Sequence, residues 1–146
     1  TMAVDQAKQN RLAVKTREFY SKVLDVNPGN LDVKTKMAMT YLSAENPMQG
    51  ITMLREVLAV DPKNELALLN MGMLSIQSGQ HDRAVARLNE LGKINPNHIQ
   101  GRLLLGIALM NSGDRQGAKE QFEKVKQLDN DPAVQATVES YLKDLK

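Results

Sequence analysis

The sequence predicts an all-α fold in which antiparallel helix pairs repeat along the chain, and three observations carry that prediction. Proline-centred motifs recur at a fixed interval, and a second break falls midway between them. Between the breaks, apolar residues recur at i, i+3, i+4 and i+7, the period of one helix face. The strong helix formers Ala, Leu, Met, Gln, Lys and Glu are plentiful, whereas aromatics make up only 3% of the residues.

The proline motifs are Asn27-Pro28-Gly29-Asn30, Asp61-Pro62-Lys63-Asn64 and Asn95-Pro96-Asn97-His98. The step from Pro28 to Pro62 is 34 residues, as is the step from Pro62 to Pro96, and Asp131-Pro132 follows 36 after Pro96. A proline ring crowds the preceding residue out of the helical region, and Asn or Asp there favours a turn. Asn30 and Asn64 stand where they can cap the next helix. Each motif therefore ends one helix and starts another.

Midway between prolines, Ser78-Gly79 and Ser112-Gly113 read as helix stops, with Ala44-Glu45-Asn46-Pro47 in the same place one repeat earlier. The predicted helices are 31–44 with 48–60, 65–78 with 81–94, 99–112 with 115–128, and a last one from about 132 to 145. In the first helices, Leu68, Met71, Gly72 and Ser75 correspond to Arg102, Leu105, Gly106 and Leu109, and to Lys34, Met37, Ala38 and Tyr41. In the second helices, Ala84, Leu88 and Leu91 correspond to Ala118, Phe122 and Val125, and to Gly50, Leu54 and Val57. The small residues Gly72, Gly106, Ala84 and Ala118 fit where two helices approach closely.

A 34-residue helix–turn–helix unit with Leu-Gly, then an aromatic or apolar residue, then Ala, a large apolar residue and a closing Pro resembles the tetratricopeptide repeat. Asn70 to Ala84 (NMGMLSIQSGQHDRA) and Leu104 to Ala118 (LLGIALMNSGDRQGA) carry the resemblance best. It covers residues 31–130, with mild departures: no Trp, Gly50 where Ala is usual, and Asn130 where a fourth Pro would fall. The resemblance implies one right-handed superhelical solenoid of antiparallel helix pairs with about eight helices. Its expected divisions are a long N-terminal helix or partial repeat over 1–30, repeats over 31–64, 65–98 and 99–131, and a capping helix over 132–146.

Aligned back from Pro28, Tyr20 and Val23 take the large apolar places of a second helix, with Thr16 at the Ala place. The turn expected near residues 10–13 contains neither Gly nor Pro. One helix from about 3 to 25 is predicted, packed as a repeat helix in its C-terminal half and projecting in its N-terminal half. The alternative is a truncated repeat straightened at a chain boundary. At the other end, Val134, Val138, Tyr141 and Leu145 share one face, and a solenoid needs such a helix to cover its last apolar layer. The chain opens on Thr1 rather than Met, so the expectation is an excised or processed segment.

Composition narrows the function. Apolar residues at 42% and charged residues at 25% are ordinary for a soluble domain, and the net charge is +2. No concentrated basic face with interleaved aromatics appears, so nucleic acid is not an expected partner. The longest apolar run, Leu103 to Met110, is far short of the ~18 residues of a membrane span, so membrane insertion of this segment is not expected. With no Cys, thiolate catalysis and Cys-based zinc sites are excluded. His81 and His98 stand at helix starts without a second ligand at metal spacing and read as exposed turn residues. No nucleophile elbow, phosphate loop or dinucleotide fingerprint occurs. No catalytic residue, cofactor or metal is expected, and the chain reads as a non-enzyme. Its compartment stays open between the cytoplasm and a soluble domain of a larger envelope-associated protein.

The resemblance implies that the first helices line a concave groove that takes proteins or peptides. Carried over by alignment, that face comprises Asp32, Thr35, Lys36, Met39 and Leu42, then Leu66, Leu69, Asn70, Met73 and Ile76, then Gln100, Leu103, Leu104, Ile107 and Met110. Lys36, Met39, Leu66, Leu69, Asn70, Met73, Gln100, Leu103, Ile107 and Met110 are the expected peptide-binding residues. The carboxylate clamp of chaperone-binding relatives falls on Thr35, Met39, Asn70, Gln100 and Leu104, of which only Asn70 fits. The expected ligand is therefore an apolar peptide or amphipathic helix. A second reading places several of these side chains in the core between adjacent helices. The alternative function is structural self-association, by the groove or the long N-terminal helix, to give a homo-oligomer.

Overall fold

A computed structural model describes residues 1–43 and 46–146 as helices joined by short turns. The helices are α1 (Met2–Val26), α2 (Leu31–Leu42), α3 (Pro47–Val60), α4 (Glu65–Gln77), α5 (His81–Ile94), α6 (Ile99–Ser112), α7 (Arg115–Leu128) and α8 (Pro132–Asp144). Among the described residues there is no strand. The helix expected over 31–44 ends at Leu42; residues 44 and 45 of the turn expected over 44–47 lie outside the described residues.

Local chemistry explains the helix boundaries. The carbonyls of Asn27, Asp61 and Asn95 accept from the backbone N–H groups of Asn30, Asn64 and His98, closing a turn at each proline. The next helix is then capped by a side-chain acceptor: Asn30 takes the N–H of Val33 at 3.1 Å and Asn64 that of Ala67 at 2.9 Å. His98 corrects its expected role as an exposed turn residue. It is half-buried and uses Nδ1 as the cap of α6, accepting from the N–H of Gly101 at 3.0 Å.

Gly79 and Gly113 end α4 and α6 in the left-handed region, at φ +74° and +95°. The N–H of Gln80 reaches the carbonyl of Ser75 while that of Gly79 reaches Ile76, and Asp114 with Leu109 and Gly113 with Met110 repeat the pattern. This is the Schellman arrangement, which satisfies two of the orphan carbonyls at a helix end.

The chain divides into two compact units, Thr1–Ala67 and Leu68–Lys146, with the boundary inside α4. In the first unit, α2 packs against both α1 and α3. Thr35, Ala38, Gly50, Met53, Leu54 and Val57 are buried. Gly50 is needed where it stands. A Cβ there would lie 2.6 Å from the carbonyl oxygen of Ala38 and 2.8 Å from the side chain of Leu42. Lys34 of α2 and Glu56 of α3 form an ion pair at 2.7 Å.

In the second unit, Ala84, Leu88 and Leu91 of α5 and Ala118, Phe122 and Val125 of α7 are buried. The Leu88 side chain fills the space beside Gly72, and the Phe122 ring fills the space beside Gly106. At the C-terminal end, Val138 joins Ala118, Phe122 and Val125 in one cluster, flanked by Val134, Tyr141, Leu142 and Leu145. Gln135 and Glu139 of α8, which the apolar pattern leaves off the packing face, are tied to α7. The Gln135 amide donates to the carbonyls of Lys126 and Asp129, and Glu139 pairs with Lys126 at 3.0 Å. Arg115 at the start of α7 returns the tie by donating to the carbonyl of Asp144. Ala133, Ala136, Ser140 and Lys143 stay exposed and give α8 its solvent face.

Candidate interaction surfaces

The residues expected to form a binding face divide by burial. In the first unit, Lys36 is exposed, Met39 is 36% exposed and Leu66 is half-buried. Thr35 is fully buried, its hydroxyl donating to the carbonyl of Leu31.

In the second unit, Leu69 is 7% exposed and Asn70 4%, so both side chains lie in the interior. Met73 and Ile76, one turn and two turns on from Leu69, are half-buried. On α6, Gln100 is exposed while Leu103, Leu104, Ile107 and Met110 are half-buried. Leu103, Ile107 and Met110 also pack against the α7–α8 cluster. These three side chains therefore serve the core with one side and present apolar surface with the other. Helical periodicity locates such residues on a face but cannot say how much of each the neighbouring helix covers.

A feature not apparent in the sequence is a pocket of about 320 Å³ in the second unit, where the end of α5, the start of α6 and Gln121 of α7 meet. Gly92 and Gly101 leave the space, and Lys93, His98 and Arg102 bring polarity to it. Its cations are already engaged. Arg102 donates to Gln121 at 2.9 Å and to the carbonyl of Pro96, and Lys93 pairs with Glu90 at 3.0 Å. The one sequence signal for it is the pair of glycines flanking the Asn95–His98 turn.

His81 opens α5 half-buried, with Nδ1 shielded and without a hydrogen-bond partner. Among the described residues, no group of three or more His, Asp or Glu side chains could hold a metal ion. No helix among them is long and apolar enough to cross a membrane.

Two stretches, residues 41–101 and 76–140, match the tetratricopeptide repeat. None of the curated proteins compared matches the chain. Solved structures with the same fold include MamA, 18% identical with a TM-score of 0.69, the alignment covering 99% of this chain and 88% of MamA. A thermophilic tetratricopeptide repeat protein of Thermus thermophilus is 19% identical with a TM-score of 0.74, over 90% of this chain and 73% of that one. The Sgt2 tetratricopeptide repeat domain of Aspergillus fumigatus is 21% identical with a TM-score of 0.70, over 80% of each chain. The chain belongs to the tetratricopeptide repeat family.

Proposed function

We propose that the chain is a non-catalytic protein-interaction scaffold that takes an apolar peptide or amphipathic helix on the exposed face of its repeats' first helices. The observation that carries this reading is the run of half-buried apolar side chains in the second unit: Met73 and Ile76 on α4, and Leu103, Leu104, Ile107 and Met110 on α6. Apolar surface left on adjacent repeats is what a helix laid across them would cover. Methionine adapts its shape to different partners, and two of the six are Met. Gln100 is the exposed member of this face in the second unit, and in the first unit Lys36 and Met39 are exposed on α2. Leu69 and Asn70 act from beneath, by supporting the helix that carries it.

An acidic C-terminal tail is a poor fit for this face. Of the clamp positions, Thr35 and Asn70 are buried, and Met39, Gln100 and Leu104 carry no positive charge.

The test is a fluorescence-anisotropy titration with a panel of labelled amphipathic peptides patterned in Leu and Lys at helical spacing. Binding by at least one peptide is expected, weakened tenfold or more by Met73→Glu or Leu104→Glu with the thermal unfolding curve retained. Both residues are half-buried, so these changes spare the interior, which Leu69→Glu would not. A panel in which no peptide binds, or variants that bind as the parent does, would overturn the reading.

A further inference from the structure

The pocket between the end of α5, the start of α6 and Gln121 offers hydrogen-bond donors and a positive charge with no acid to answer them. Among the described residues, none of the side chains lining it is Asp or Glu. Three of its polar side chains are each held by a bond at one atom, and that bond settles what the remaining atoms can do. His98 accepts the N–H of Gly101 at Nδ1, so the neutral ring carries its proton on Nε2 and is a donor there. Gln121 accepts from Arg102 at Oε1, at 2.9 Å, which leaves its amide nitrogen as a donor. Arg102 spends Nη1 on that bond and Nε on the carbonyl of Pro96, and keeps both protons of Nη2.

The bonds of Arg102 orient its guanidinium without neutralising it, because both acceptors are uncharged. The first repeat treats the same place differently. There Lys34 pairs with Glu56 at 2.7 Å. Two periods of 34 residues on, Lys34 becomes Arg102 and Glu56 becomes Lys124, so a second cation stands in place of the neutralising acid. Arg102 is half-buried, and a charge partly removed from water gains more from an anion than one fully hydrated.

The rest of the wall is apolar. Leu88, Leu91 and Leu105 line it, none more than 5% exposed. Gly92 keeps the space open, since a Cβ there would meet nothing within 4 Å. A ligand that satisfies both parts of the wall needs oxygen acceptors at one end and hydrocarbon at the other.

We propose that this pocket binds an organic carboxylate on a short apolar stem, with its oxygens on Arg102, His98 and Gln121 and its stem against the leucines. A carboxylate accepts several hydrogen bonds at once and gains further from the fixed positive charge. A free small acid and the Glu side chain of a partner protein supply the same chemistry. A bare inorganic anion would use the donors and leave the leucines uncovered. None of the residues of the proposed peptide-binding face lines this pocket, so variants of one surface leave the other intact.

The test is a titration at low salt, followed by the backbone amide resonances of the isotope-labelled chain. The probes are butanoate, its uncharged isostere butanamide, inorganic phosphate and the blocked tripeptide acetyl-Leu-Glu-Leu-amide. A carboxylate probe is expected to shift the signals of Gly92, Gly101 and Arg102 to a plateau. Butanamide and phosphate should bind tenfold more weakly or not at all. A tripeptide that binds more tightly than butanoate assigns the site to a partner's side chain, and the reverse order assigns it to a free acid. Arg102→Gln should weaken the carboxylate roughly tenfold to a hundredfold, the span of a hydrogen bond to a charged group. Gly92→Leu, which fills the space and keeps every donor, should weaken it as much with the unfolding curve retained. Signals that reach no plateau with either carboxylate would overturn the proposal. So would butanamide or phosphate binding as tightly as butanoate, or either variant binding as the parent does.

Discussion

Phe122 of α7 and Tyr141 of α8 stack with ring centroids 4.9 Å apart and planes 7° from parallel. Phe122 is fully buried, with Gly106 of α6 beside its ring edge and Tyr141 over its face, so one side chain joins three helices. Tyr141 is the half-exposed lid of that cluster.

Tyr141→Ala removes the lid and leaves Phe122 open to water. The expected loss is about 1–3 kcal/mol, combining lost burial with the ring–ring contribution. Urea unfolding followed by circular dichroism measures it, and hydrogen exchange should show α8 losing protection before α6 or α7. Uniform protection across these helices would mean that the stack does not hold α8 in place.

Gly106→Ala and Gly92→Ala are expected to act in opposite directions, although both glycines sit in helices. A Cβ at Gly106 would lie 2.6 Å from the Phe122 ring, whereas one at Gly92 would meet nothing within 4 Å. The first change forces the core apart and should cost about 1–3 kcal/mol. The second gains helix propensity and should stabilise by about 0.5–1 kcal/mol. The two melting temperatures, measured side by side, decide the matter.

Gly113→Ala tests the Schellman turn. With φ at +95° the Ala must strain the backbone or give up the turn. A loss of roughly 1–2 kcal/mol is expected, seen as a lower denaturation midpoint with unchanged helical content. A melting curve that overlays the parent's would show that this turn tolerates a side chain.

Asp114→Ala removes the acceptor that takes the N–H of Gly117 at 2.8 Å and caps α7. The expected cost is about 1 kcal/mol, and Asp114→Asn should recover most of it because the amide oxygen can also accept. If both variants fall equally, the carboxylate charge rather than the cap would be responsible.

Helix boundaries were legible in the sequence because the groups that set them lie within one turn of the boundary. Pro28, Pro62 and Pro96 stop helices by their own geometry, and Asn30 and Asn64 cap with their own side chains. The residues of the proposed binding face were legible only as a stripe. Leu69 and Met73 stand one turn apart on the same helix, yet the first is interior and the second half-exposed. His98 shows the same limit at smaller scale. Its position at a helix start was evident, while its use of Nδ1 as a cap depends on a rotamer that composition does not reveal.

The sequence by itself determined the helix-pair period, the turns and the apolar face of each helix, because backbone sterics, capping and periodicity are local. Only the tertiary structure decided which apolar side chains are consumed in the core and which stay available. That depends on the helices that come to lie alongside: α8 covers Phe122, whereas the side of α1 bearing Phe19 is left open.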